Sequence, residues 1–170
     1  MTDTAADQAG SPFWRFSIAF YRDAAVARAC LDLQDGCDVD VNLLLFLLWL
    51  ARDRRRLAVG EVRSLDERLR RWRAEVVAPL RAMRRMLKND APLVEPAEAE
   101  VFRTRVKSVE LEAERLQQET MSAMTDAIAS DRTASRNEAA RANLDAYRNV
   151  KGHAFNPESV EVLLAAFASS

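Results

Sequence analysis

Asp32, Asp35, Asp38 and Asp40 crowd four carboxylates into nine residues, a density that can hold a divalent cation. Helical enzymes that transfer prenyl groups use such aspartates to hold magnesium and a diphosphate. They need them on one helical face, four residues apart, opposite a second acidic motif. Here Asp32 and Asp35 are three apart, Asp38 lies beyond Gly36, and no partner motif follows. The alternating acids and terminal glutamate of a calcium loop are also missing. Helix capping accounts for all four without a ligand, because a carboxylate at a helix N-terminus accepts its free N–H groups and complements its dipole. No metal ligand is assigned.

A second candidate is a polar site of Gln34, Asp35, Asp40, Asn42 and Trp49. Asn42 opens the most apolar stretch of the chain, residues 43–51. An amide buried there without a partner is costly. The expectation is that it bonds the backbone of residues 34–36 and fixes the turn between two helices. The alternative makes it the polar anchor of a pocket for an apolar or diphosphate-type ligand.

The third candidate is cationic. Arg52, Arg54, Arg55 and Arg56 close the apolar stretch, and Arg70, Arg71, Arg73, Arg81, Arg84, Arg85 and Lys88 follow. Net charge is −4 over residues 1–51, +7 over 52–90 and −4 over 91–170. A basic block between acidic ones suits an anionic partner, or holds the protein together by packing acidic helices beside basic ones. Arg52, Arg55, Arg56, Arg70, Arg81, Arg84, Arg85 and Lys88 are the candidate partner-binding face. Nucleic acid is a weaker alternative, since Trp72 is the only aromatic in the block.

His153 is the only histidine, which excludes a multi-histidine metal site and weakens a serine–histidine mechanism. No phosphate loop, zinc spacing or dinucleotide fingerprint occurs. No catalytic residue and no cofactor is assigned. Cys30 and Cys37 need form no disulfide in a chain of this length, and are read as free thiols.

The elements that position these residues are helical. The chain has 170 residues, only four glycines and five prolines, and no alternating strand pattern. Ser11-Pro12 and Asn156-Pro157 each pair an N-cap with a proline at the first helical position. Asp23 caps a second helix that turns Val26, Cys30 and Leu33 inward and ends at Gly36. Asp38 or Asp40 caps a third, running to about Leu57, with Gly60 as the next break. Leu65, Leu69, Trp72, Val76, Leu80, Met83 and Leu87 then make a heptad-like seam, which Pro79 should kink or split. A second seam follows residues 88–96, a proline-containing loop: Phe102, Val106, Val109, Ala113, Leu116, Thr120, Ala123 and Ala127. Two seams joined by a short loop predict an antiparallel hairpin. A sixth helix turns Ala140, Leu144 and Tyr147 inward.

The expected fold is all-α. Six to seven helices comprise compact N-terminal helices around a buried apolar helix, plus a long antiparallel hairpin. Residues 1–10 are expected to be disordered and 11–170 to form one domain: a short-helix core (11–60), the hairpin (61–130) and C-terminal helices (131–170). The apolar run of about nine residues falls short of the ~20 that span a membrane. The N-terminus lacks the basic and apolar regions of a secretory signal, so a cytoplasmic protein is expected.

Leu33-Gln34-Asp35, four intervening residues, Asp40-Val41-Asn42 and the apolar helix carrying Trp49 together resemble the signature of an uncharacterised bacterial family of small cytosolic all-helical proteins. The resemblance extends upstream through residues 13–35 and covers the first third of the chain. The loop glycine is Gly36, whereas the family pattern places it nearer Asp40. The resemblance implies the all-helical fold and no activity. The function expected is a non-catalytic protein-interaction, adaptor or regulatory module. It would act on an unknown protein partner through the hairpin's basic face, or self-associate through leftover seam surface.

Overall fold

A computed structural model describes residues 10–89 and 94–170. The segment expected to be disordered lies outside the described residues, apart from Gly10, as do residues 90–93 of the expected loop. The helices are α1 (Pro12–Tyr21), α2 (Ala24–Cys37), α3 (Val41–Arg52), α4 (Val59–Trp72), α5 (Ala78–Asn89), α6 (Pro96–Ala123), α7 (Arg136–Lys151) and α8 (Pro157–Ala168). A π-helical segment, Arg73–Val77, joins α4 to α5, and a 3₁₀ turn, Thr125–Ala127, follows α6. With the π-joined rod counted once, the described residues make seven helices and no strand, an all-α fold of the expected size. None of these helices is long and apolar enough to cross a membrane.

Two compact units emerge, residues 10–66 with 118–170, and residues 67–117. The first is built on α3. Leu43, Leu44, Phe46, Leu47 and Leu48 have no exposure, because a helix apolar all round must be covered all round. Covering it are α7, α1 and α2, with α8 against α2. Phe13 meets Phe46 edge-on at 5.0 Å, and Trp49 lies against both rings. Each such buried side chain contributes roughly 1.5–3 kcal/mol.

Ser11, Asp23 and Asn156 cap their helices as the residue types predict. Ser135 and Glu138 add a reciprocal capping box that starts α7. Three breaks differ from expectation. Gly36 is helical, and the left-handed residue closing α2 is Asp38 (φ 48°), whose carboxylate meets Lys151 at 2.9 Å. Aspartate tolerates that conformation because its side chain is short and polar. α3 ends at Arg52, five residues early, where Arg54 (φ 61°) turns the chain and donates from Nε to the carbonyl of Ala134. Gly60 lies inside α4.

The second unit is a helical hairpin. Pro79 neither splits nor ends its first arm. The preceding turn widens so that the Ala78 N–H bonds the Arg73 carbonyl, five residues back. One π turn absorbs the register lost at a residue with no N–H. The second arm is rotated from its predicted seam. Val106 and Ala113 are buried, but Phe102, Val109 and Leu116 are 51%, 54% and 44% exposed. Ala99, Val106, Glu110, Ala113 and Gln117 face inward instead. The cause is Glu110, which the apolar pattern ignores and the arginines of the first arm draw inward.

Candidate functional site

The four aspartates do different jobs. Asp32 accepts from Ser159 Oγ (2.6 Å) and Asn156 Nδ2 (2.8 Å) at the start of α8. Those two hydrogen bonds, Ser159's first, hold its carboxyl below the usual range. Asp35 is exposed and accepts a long bond from Gln34 (3.4 Å). Asp38 pairs with Lys151. Asp40 is the N-cap of α3, accepting from Asn42 N (2.9 Å) and Leu43 N (3.4 Å). Among the described residues, no group of three acids, cysteines or histidines is arranged to hold a metal.

Two of the five polar candidates share a network. The Asp40 N–H donates to the hydroxyl of Tyr147, fully buried on α7 (2.9 Å). The Asn42 Oδ1 accepts from Gln118 Nε2 at 2.7 Å, both side chains being buried. An amide on the last turns of α6 is thus the partner that the apolar stretch required. Trp49 stacks in the Phe13–Phe46 cluster, and Gln34 turns toward Asp35. Asp40 and Asn42 therefore belong to one interior network with Tyr147 and Gln118.

The cations divide three ways. Arg55 is buried and fixes the segment after α6, donating to Ile128 O (2.6 Å) and Ser130 Oγ (2.9 Å). Burial, then the charge of Arg132, lowers its pKa from the ordinary arginine value. Arg56 pairs with Asp131 in side chain and backbone, and Arg52 lies over the Phe16 ring. In the hairpin, Arg81 pairs with Glu114 (2.8 Å) and Glu110 (3.3 Å), and Arg84 with both oxygens of Glu110. Glu110's hydrogen bond raises the pKa of Arg84. Arg70 pairs with Glu67 on its own helix, while Arg85 and Lys88 are exposed.

Sequence reading missed Asn143. Fully buried on α7, it donates to the carbonyls of Leu47 (3.0 Å) and Arg55 (2.9 Å) and accepts from the Leu57 N–H (2.8 Å). The signal was an amide on a face otherwise made of Ala139, Ala140 and Leu144. Cys30 and Cys37 are both free; burial pushes the Cys30 thiol up to about 12. His153 is exposed in the turn after Gly152. A shallow cleft of about 140 Å³ between α7 and α8 is rimmed by Arg141 paired with Glu161 and Arg148 paired with Asp145.

Residues 12–121 match the family described as protein of unknown function, DUF2390. The chain belongs to this family. The DUF2390 match spans α1 to near the end of α6, and so includes Asp40, Asn42, Gln118 and the Arg81–Arg84–Glu110 cluster. Asn143 and Tyr147, which brace α3 from α7, lie beyond it. No curated protein and no solved structure matches the chain.

Proposed function

We propose that this chain is a non-catalytic interaction or adaptor module of the cytoplasm, whose working part is the hairpin of residues 67–117. One observation carries the reading: the hairpin holds its arms together with ions and leaves large apolar side chains exposed on both. Phe102, Val109 and Leu116 on α6, with Met83 and Met86 on α5, are all 42% exposed or more. Exposed apolar surface of this kind is what a docking face offers. The partner it fits presents an apolar helical face of its own.

The basic-face reading keeps less support, because Arg81 and Arg84 are already committed to Glu110 and Glu114. Arg85 and Lys88 lie exposed on α5. A ligand pocket at Asn42 has no observation in its favour: the side chain is 7% exposed, and its oxygen accepts from Gln118. The test is a photo-crosslinking amino acid placed at Val109, or at Lys107 on the far side of α6, in cells of the protein's natural source. Cross-linked protein from position 109 and none from 107 is expected. Equal yields, or no adduct at 109, would refute the reading.

A further inference from the structure

The open face of the hairpin is complementary to itself. Phe102, Val109 and Leu116 recur every seven residues and, at about 100° per residue, fall in one narrow stripe of α6. Arg105 and Glu112 follow Phe102 and Val109 by three residues each and line the stripe's outer edge. Read along the helix, the stripe is apolar, Arg, apolar, Glu, apolar. Reversing it about Val109 lays Phe102 on Leu116 and brings Arg105 beside Glu112. A stripe meant for an unrelated partner has no need of opposite charges at mirrored positions.

The hairpin's other edge is defined by the pairs of Arg81 and Arg84 with Glu110 and Glu114. Val109 lies about 100° around α6 from Glu110 and about 140° from Glu114, and Met83 about 160° around α5 from Arg81. Both arms thus turn apolar residues to the same open side. Trp72 joins them there, its indole N–H donating to the carbonyl of Ala113 (3.1 Å), between Val109 and Leu116.

We propose that this face docks against the same face of a second copy of the chain, α6 packing antiparallel on α6 across a two-fold axis at Val109. The proposal rests on the reading of the hairpin as the interaction surface. A two-fold interface uses one patch twice, so Arg105 of each copy meets Glu112 of the other. Both charges are exposed now, and Glu112 keeps Arg115 beside it. Phe102, Val109, Leu116, Met83 and Trp72 offer on the order of 400 Å² of apolar surface per copy, about half of what one partner gives to a standard interface. Met86 and the charged rim extend it. The segment of residues 1–9 cannot be the occupant, since MTDTAADQA holds no large apolar side chain except Met1.

The experiment is sedimentation equilibrium of the full chain over a concentration series, with Arg105→Glu and Glu112→Arg as surface variants whose fold is checked by circular dichroism. Each variant alone sets like charges against each other twice, and should weaken dimerisation by at least about tenfold. Mixed, the two variants restore both pairs, so they should dimerise with each other and not with themselves. A wild-type dimer indifferent to both changes would place the contact elsewhere and overturn the proposal. A wild-type monomer would overturn it too, and the Val109 cross-link then separates the two readings. An adduct with a different protein leaves the interaction module standing, whereas no adduct removes both.

Discussion

Replacing Asn143 by leucine removes three hydrogen bonds from a side chain with no solvent access. Leu47 lies inside α3, where its carbonyl keeps the helical partner four residues on. The carbonyl of Arg55 and the N–H of Leu57 lie between α3 and α4 and are left unmet. Each such buried group costs roughly 1–3 kcal/mol, and the new apolar side chain returns about 1 kcal/mol, for a net loss of about 3 kcal/mol. In a chain of this length that lowers the melting temperature by about 9 °C, measurable by calorimetry. A loss below about 1 kcal/mol would show that the amide does not brace this turn. Asn143→Asp supplies the control on geometry. It keeps an acceptor for Leu57 but turns a carboxylate toward two carbonyl oxygens, which raises that carboxyl's folded pKa above its unfolded value. Its favourable contribution is then present at low pH and lost as pH rises through the raised pKa. The deficit against the parent protein should shrink in mild acid; a deficit independent of pH would contradict the donor assignment.

Glu110→Ala strips Arg81 and Arg84 of their shared partner. It should destabilise the hairpin by about 2 kcal/mol, less than a fully buried pair because both arginines are partly solvated. Hydrogen exchange should speed up in α5 and in residues 100–117; unchanged protection there would mean that the arms are held by apolar contact alone. By NMR titration, Asp32 should ionise below 3.8. The stability it contributes is therefore present above that pH and lost as pH falls through the depressed value, and Ser159→Ala should move the midpoint back toward the ordinary one. With a disulfide reagent at mildly alkaline pH, the native chain should react at Cys37 and not at Cys30, whose thiol stays protonated until about pH 12. Denaturant should expose the second thiol, and two fast thiols in the native state would refute the burial.

Caps and apolar runs were legible because each is decided locally. Ser11, Asp23 and Asn156 announce helix starts through their own chemistry, and the apolar run places residues 43–48, 50 and 51 in the interior. Chain reversals were less so: Asp38 and Arg54 take left-handed conformations at breaks that Gly36 and Gly60 were expected to mark. Each carries a contact far away in sequence, Lys151 for one and Ala134 for the other. The interior amides are a similar case. Nothing local tells Asn42 that its partner is Gln118, or marks Asn143 as the clamp on Leu57.

The hairpin is the instructive case, because its apolar spacing was read correctly and the face it implied was not the buried one. A heptad pattern locates a stripe only to within about one position, and an acid beside the stripe tips the choice when the facing helix brings arginines. Arg81 and Arg84 are three residues apart, Glu110 and Glu114 four, so each pair presents one charged edge of its helix. The +7 and −4 segments that flank the loop already contained that match as one of two readings. Internal neutralisation explains why the basic block is not one free cationic surface. It also explains why Phe102, Val109 and Leu116 are left facing outward: the ions took one edge of the hairpin, and the apolar residues displaced from the seam became the other.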